Sequence, residues 1–231
     1  MNADDLGLSA GVNEGIFRAH DAGIVTSASL MVRRPAARAA ADAARGRPKL
    51  GVGLHLDLGD WVFARRRWHA VTGVVDEKDL AAVSEELERQ LAAFRQLVGR
   101  DPTHLDSHQH IHLRGCPADA ARRLAQGLGV SLRQRAGGVR YCGDFYGQTG
   151  TGEPLHEAIT TAALIRILRA LPPGVTELAC HPGAGRDLRS PYREERELEL
   201  RALCDPRVGK VIHQEQIALR SFAQVDIDGH R

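Results

Sequence analysis

"IVTSASLMV" (residues 24–32) is short, rich in β-branched and other apolar side chains, and bounded by charge. A run of that kind is a strand rather than a helix. Reading outward from it, the same alternation continues in both directions. Upstream, "AGVNEGIFRAHDA" is predicted as a helix, with Ser9 as its cap and Gly23 closing it. Downstream, Pro35 starts an Ala-rich helix that ends near Gly46, and "LGVGLHLDL" (50–58) is the next strand. Leu80, Val83, Leu87, Leu91, Phe94 and Val98 fall at helical spacing, and Gly99 stops that helix. Then come a short strand "THLD" (103–106), a helix "PADAARRLAQGLG" with Pro117 at its start, and a strand "VSLRQR". The apolar helix "HEAITTAALIRILRAL", ended by Pro172, the strand "VTELAC" (175–180) and the helix "REERELELRALC" complete the series. Short apolar strands alternating with helices imply a parallel sheet with right-handed crossovers. The fold class is therefore α/β, a single-domain (β/α) barrel-like fold spanning residues 1–231.

Bulk composition narrows the partners. The chain has 231 residues, and 31 Lys and Arg stand against 29 Asp and Glu, for a net charge of +2. That balance favours neither nucleic acid nor a membrane surface. The cluster Arg65, Arg66, Arg67 is short and reads as a solvated loop. No signal peptide and no apolar run of membrane-spanning length is present, so a cytoplasmic protein with reduced thiols is expected. The four cysteines, Cys116, Cys142, Cys180 and Cys204, form no C-x-x-C pair, which argues against a thiolate zinc site. Cys180 precedes His181, but neighbours on a strand point to opposite faces and do not make a nucleophile–base pair.

In either a barrel or an open parallel sheet, ligands bind at the carboxyl ends of the strands. That is where the unusual polar residues fall. Asp4 and Asp5 precede the first helix, His55 lies near the end of "LGVGLHLDL", "DSHQHIH" follows "THL", and His181 follows "VTELAC". If "LDSHQHIHL" stays extended, His108, His110 and His112 share one face. Three imidazoles there are hard to bury without partners, and a metal ion would supply one. A metal would also account for the adjacent aspartates: one as a carboxylate ligand, the other free for proton transfer.

Five motifs, "NADDLGLSAGVNEGI", "GIVTSASLMV", "VGLHLDL", "PTHLDSHQHIH" and "CHPG", resemble in order those of the YdjC-like carbohydrate deacetylases. The combination of N-A-D-D with D-S-H-x-H-x-H is the specific part. The resemblance implies hydrolysis of an N-acetyl group from an amino sugar on a (β/α)-barrel-like fold. It implies a metal site of Asp5, His55 and His108 for one divalent ion, Mg²⁺ or Zn²⁺ first, with Mn²⁺, Co²⁺ or Ni²⁺ as alternatives. It makes Asp4 the general base and His181 the group that protonates the leaving amine. Asp106 is expected to orient a ligand histidine, with His110 and His112 behind the ligands or against substrate. "DFYGQTG" (144–150) is similar to a substrate loop of the family, with Tyr146 and Gln148 as sugar contacts. The expected partners are an acetylated sugar and a second copy in a homodimer. One departure stands out: the apolar strand that usually precedes N-A-D-D is nearly absent, so a first strand incomplete or distorted is expected, with exposed neighbouring edges.

Two other functions compete. Asp/His clusters also serve metallophosphoesterases, although two-metal sites usually hold more carboxylates. A non-catalytic, metal-containing sugar-binding protein would need neither Asp4 nor His181.

Overall fold

The structure is a computed structural model that describes all residues except 65–66, 136, 186, 189, 191 and 226–231. Its framework is a seven-stranded parallel sheet curled into a half-barrel, with helices packed against it. In chain order the strands are β1 (Asn2–Leu6), β2 (Ser27–Leu30), β3 (Gly51–Leu56), β6 (His104–Ser107), β7 (Ser131–Leu132), β8 (Val139–Cys142) and β9 (Val175–Cys180). A separate antiparallel ribbon, β4 (Gly59–Ala64) with β5 (Arg67–Gly73), follows β3 and was not anticipated. Of the expected Arg65–Arg67 loop, Arg67 instead opens β5, and Arg65 and Arg66 lie outside the described residues. The sheet order is β7-β6-β3-β2-β1-β9-β8. Every residue of β1, β2 and β3 is buried, as in a sheet covered on both faces.

The helices are α1 (Ala10–Asp21), α2 (Ala37–Ala44), α3 (Leu80–Val98), α4 (Gly115–Leu128), α5 (Thr161–Ala170), α6 (Glu194–Leu203) and α7 (Pro206–Gln214). Their ends follow the local chemistry. The Ser9 hydroxyl accepts from the Val12 amide at the start of α1, and Gly99 ends α3 in the left-handed region at φ 80°. α2 buries Ala37, Ala40, Ala41 and Ala44, one stripe at helical spacing. Among the described residues no helix is long and apolar enough to cross a membrane.

Three expectations are corrected. The first strand is distorted as expected, with a register shift between Ala3 and Leu6, but it leaves no exposed edge: β1 pairs with β2 on one side and β9 on the other, so it lies inside the sheet. "VSLRQR" forms only the two-residue β7, and its remaining residues turn away. "HQHIHL" does not stay extended. Residues His108–Leu113 form a 3-10 turn in which Gln109 and His110 take left-handed backbone (φ 53° and 52°), so the alternation that would align three imidazoles is lost.

Candidate functional site

β1 carries the two aspartates, and its irregularity sets their directions. Asp5 takes φ 67°, and the pairing of β1 with β2 shifts register between Ala3 and Leu6. A regular strand would send neighbouring side chains to opposite faces. The left-handed residue breaks that alternation, and both carboxylates reach the same mouth, Asp4 4 % and Asp5 2 % exposed.

Asp5 faces two imidazoles. Its Oδ1 is 3.2 Å from His108 Nδ1 and 3.4 Å from His55 Nε2, while its Oδ2 accepts from Arg196 at 2.5 Å. Asp106, at the end of β6, sits 2.8 Å from the other nitrogen of His55. Burial opposes ionisation of Asp5, but Arg196 and the two histidines outweigh it and hold the carboxyl well below its ordinary range. Burial likewise opposes charge on His55, yet the charge and hydrogen bond of Asp106 raise it to about 10. Asp5, His55 and His108 present ligand atoms within 4.8 Å of one another. One carboxylate oxygen and two imidazoles, with a second carboxylate fixing one ring from behind, form a donor set that fits a divalent cation.

Asp4 has different company. Arg133, just beyond β7, donates to its Oδ2 at 2.6 Å and to its Oδ1 at 2.7 Å. Asn2 adds a bond to Oδ1 at 3.0 Å. Burial would raise the Asp4 carboxyl, but Arg133 offsets this and holds it below its ordinary value. His181 Nε2 stands 3.7 Å from Asp4 Oδ2. Burial lowers His181 to about 4, which leaves the ring neutral near pH 7. The side chains of His108 and His181 remain 28 % and 22 % exposed, so the two imidazoles flank an opening above the buried carboxylates.

The structure thus brings Asp4, Asp5, His55, Asp106, His108 and His181 together. Tyr146 joins them: its ring is 5.2 Å from that of His181 and stacks on Tyr192 at 4.9 Å. Gln148 is buried, and its backbone bridges to Pro154. His112 is fully buried with Nδ1 on the Ser107 hydroxyl, and His110 packs edge-on against His112 and Tyr141. Cys180 is buried with its thiol donating to the Asn2 carbonyl, and burial pushes it well above its ordinary value.

Sequence reasoning missed the arginines and the polar residues behind the site. Asn2, Ser29, Arg133 and Glu177 bond to Asp4, to Asp106 or to each other, all buried. Arg196 and Glu199 of α6 hold the His181 backbone from both sides: Glu199 accepts from its amide and Arg196 donates to its carbonyl. The available signal was the even scatter of charge around "REERELELR", which leaves no purely apolar face for the core.

A parallel α/β half-barrel with carboxylates and imidazoles converging at the carboxyl ends of its strands defines the class: a barrel-like protein with the donor set of a divalent-cation site. The chain belongs to the YdjC-like protein family, whose profile matches residues 1–214. It is similar to a chitooligosaccharide deacetylase of Serratia marcescens, 33 % identical over a 254-residue alignment covering 96 % of each chain. Among solved structures it resembles an Enterococcus faecalis protein titled as a candidate for cellobiose-phosphate cleavage, with TM-score 0.77, 25 % identity and 96 % and 95 % of the two chains covered. A family 4 carbohydrate esterase of Streptomyces lividans, crystallised with acetate, shares the fold at TM-score 0.55 and 13 % identity, covering 93 % and 86 %.

Proposed function

We propose that this chain is a metal-dependent carbohydrate deacetylase that hydrolyses the N-acetyl group of an amino sugar or chitooligosaccharide. The observation that carries the reading is the division of labour within the aspartate pair. Asp5 offers a carboxylate oxygen to the cluster with His55 and His108, whereas Asp4 is turned towards His181. The name of the Serratia marcescens relative supports the substrate class.

A divalent cation held by Asp5, His55 and His108 would polarise the acetyl carbonyl and acidify water. Mixed nitrogen and oxygen ligation suits Zn²⁺, Mg²⁺, Mn²⁺, Co²⁺ or Ni²⁺. Asp4, kept ionised by Arg133, accepts the proton of the attacking water. The water oxygen bonds to the carbonyl carbon and the C–N bond breaks. His181, neutral at rest and 3.7 Å from Asp4, receives a proton during the reaction and delivers it to the leaving nitrogen. The products are acetate and a free amine. Tyr146, stacked on the buried Tyr192 beside His181, would offer an aromatic face to the sugar.

The test is acetate release from N-acetylglucosamine oligomers by metal-stripped and metal-reloaded protein. Release that disappears on stripping and returns on reloading is expected. Turnover of phosphate esters with none of the acetylated sugars would replace this reading with a phosphoesterase.

A further inference from the structure

We propose that Arg133 stands where a second metal ion would otherwise bind, and that its guanidinium keeps this site mononuclear. The inference rests on the metal-site reading above. A second group of potential ligands lies directly behind the first: Asp4, His55 and Asp106 are all buried, with ligand atoms within 4.8 Å of one another. The two groups share His55, which faces Asp5 through Nε2 and Asp106 through Nδ1, so a second ion would meet the ring at its other nitrogen. The second group already holds a cation. Arg133, 2 % exposed, donates to Asp4 at 2.6 and 2.7 Å and to Glu177 at 2.7 Å, and forms an ion pair with Asp106 at 2.7 Å. One planar guanidinium therefore pairs with three buried carboxylates.

The two aspartates differ accordingly. Both oxygens of Asp4 are engaged by Arg133, in the fork-to-fork arrangement that fixes a carboxylate plane. Asp5 meets its own arginine, Arg196, through Oδ2, and turns Oδ1 to the two histidines. An arginine at the first position keeps Asp4 out of metal coordination; an arginine at the second leaves Asp5 a ligand oxygen. Removing the Arg133 charge would leave Asp4, Asp106 and Glu177 buried together without a cation. A divalent ion is the compact replacement that matches their charge.

The experiment is Mn²⁺ binding to the full chain, read as ions per protein, as electron paramagnetic resonance of the bound ion, and as thermal midpoint. Wild type is expected to bind one ion with an uncoupled spectrum. Arg133→Met is expected to bind two, with spin coupling and a larger rise in midpoint on adding Mn²⁺. If that variant folds only when Mn²⁺ is present and then holds two ions, the result is the same. Arg133→Lys keeps a charge in the cluster and is expected to bind one. A single ion in folded Arg133→Met, two coupled ions in wild type, or two ions in Arg133→Lys would overturn the inference. Wild type without any bound Mn²⁺ would instead overturn the metal-site reading, and this inference with it.

Discussion

A Cβ on Gly15 would stand 2.3 Å from the Cα of Gly183. Gly15 lies in the middle of α1, and Gly183 follows His181 and Pro182 in the loop that leaves β9. One turn earlier the contact repeats: a Cβ on Gly11 would meet the Ala184 carbonyl oxygen at 1.9 Å, and the Ala184 amide donates to the Gly11 carbonyl at 2.8 Å. Glycine inside a helix costs about 0.5–1 kcal/mol relative to alanine. Here that cost lets the His181 loop lie directly on the helix backbone.

Gly15→Ala should therefore act on His181 and spare the cation cluster, whose ligands come from β1, β3 and the turn after β6. Overpacking of this kind costs about 1–3 kcal/mol, which for a chain of this size lowers the thermal midpoint by about 2–4 °C per kcal/mol. A displacement of about 1 Å at a catalytic group can cost about a hundred-fold in turnover. Deacetylation should fall to that extent while metal content stays at the wild-type level. Wild-type kcat in the variant would show that the loop position does not matter to the reaction.

Asp106 should matter to metal affinity although it lies behind His55. Asp106→Asn weakens the partner that fixes the His55 ring, and loss of such a partner typically costs about 10–100-fold in affinity. Competition against a chelator measures this. An unchanged dissociation constant would mean that packing alone orients His55.

The fold and half of the site were legible for one reason: parallel α/β topology delivers strand ends to one mouth, and Asp4, Asp5, His55, Asp106 and His181 all sit at such ends. Their convergence follows from order alone. The arginines were hidden because nothing local distinguishes them. "VSLRQR" reads as a strand, yet β7 stops after two residues and Arg133 turns inward to three carboxylates scattered from Asp4 to Glu177. Arg196 lies on α6, which buries Glu195, Arg196 and Glu199 along with Leu200 and Leu203, so its inner face is not the apolar one that periodicity detects. The histidine string misled for the opposite reason. Strict alternation predicts a shared face only on extended backbone, and Gln109 and His110 are left-handed.

Metal should stabilise the fold through Asp5, His55 and His108. At about a hundred times the dissociation constant, a bound ligand adds about 2.7 kcal/mol. The thermal midpoint should then rise by roughly 5–10 °C on adding the preferred ion to stripped protein. His55→Ala and His108→Ala should abolish the rise. A rise that survives in both variants would place the cation elsewhere.

Amide substitutions separate the roles of the two aspartates. Asp5→Asn should lose metal affinity, because a neutral amide is a poor replacement for the carboxylate oxygen facing His55 and His108. Asp4→Asn should keep the metal, because Asp4 bonds to Arg133 and lies outside the Asp5, His55 and His108 group. It should still bind sugar, and it should lose turnover by about a hundred- to ten-thousand-fold, the usual cost of removing a general base. The two variants would be inactive for different reasons, which metal content and sugar affinity measured beside acetate release can tell apart. If Asp4→Asn strips the metal and Asp5→Asn retains it, the roles are exchanged. If Asp4→Asn remains nearly fully active, the proton acceptor is another group, and the tie between Asp4 and Arg133 serves the fold rather than the reaction.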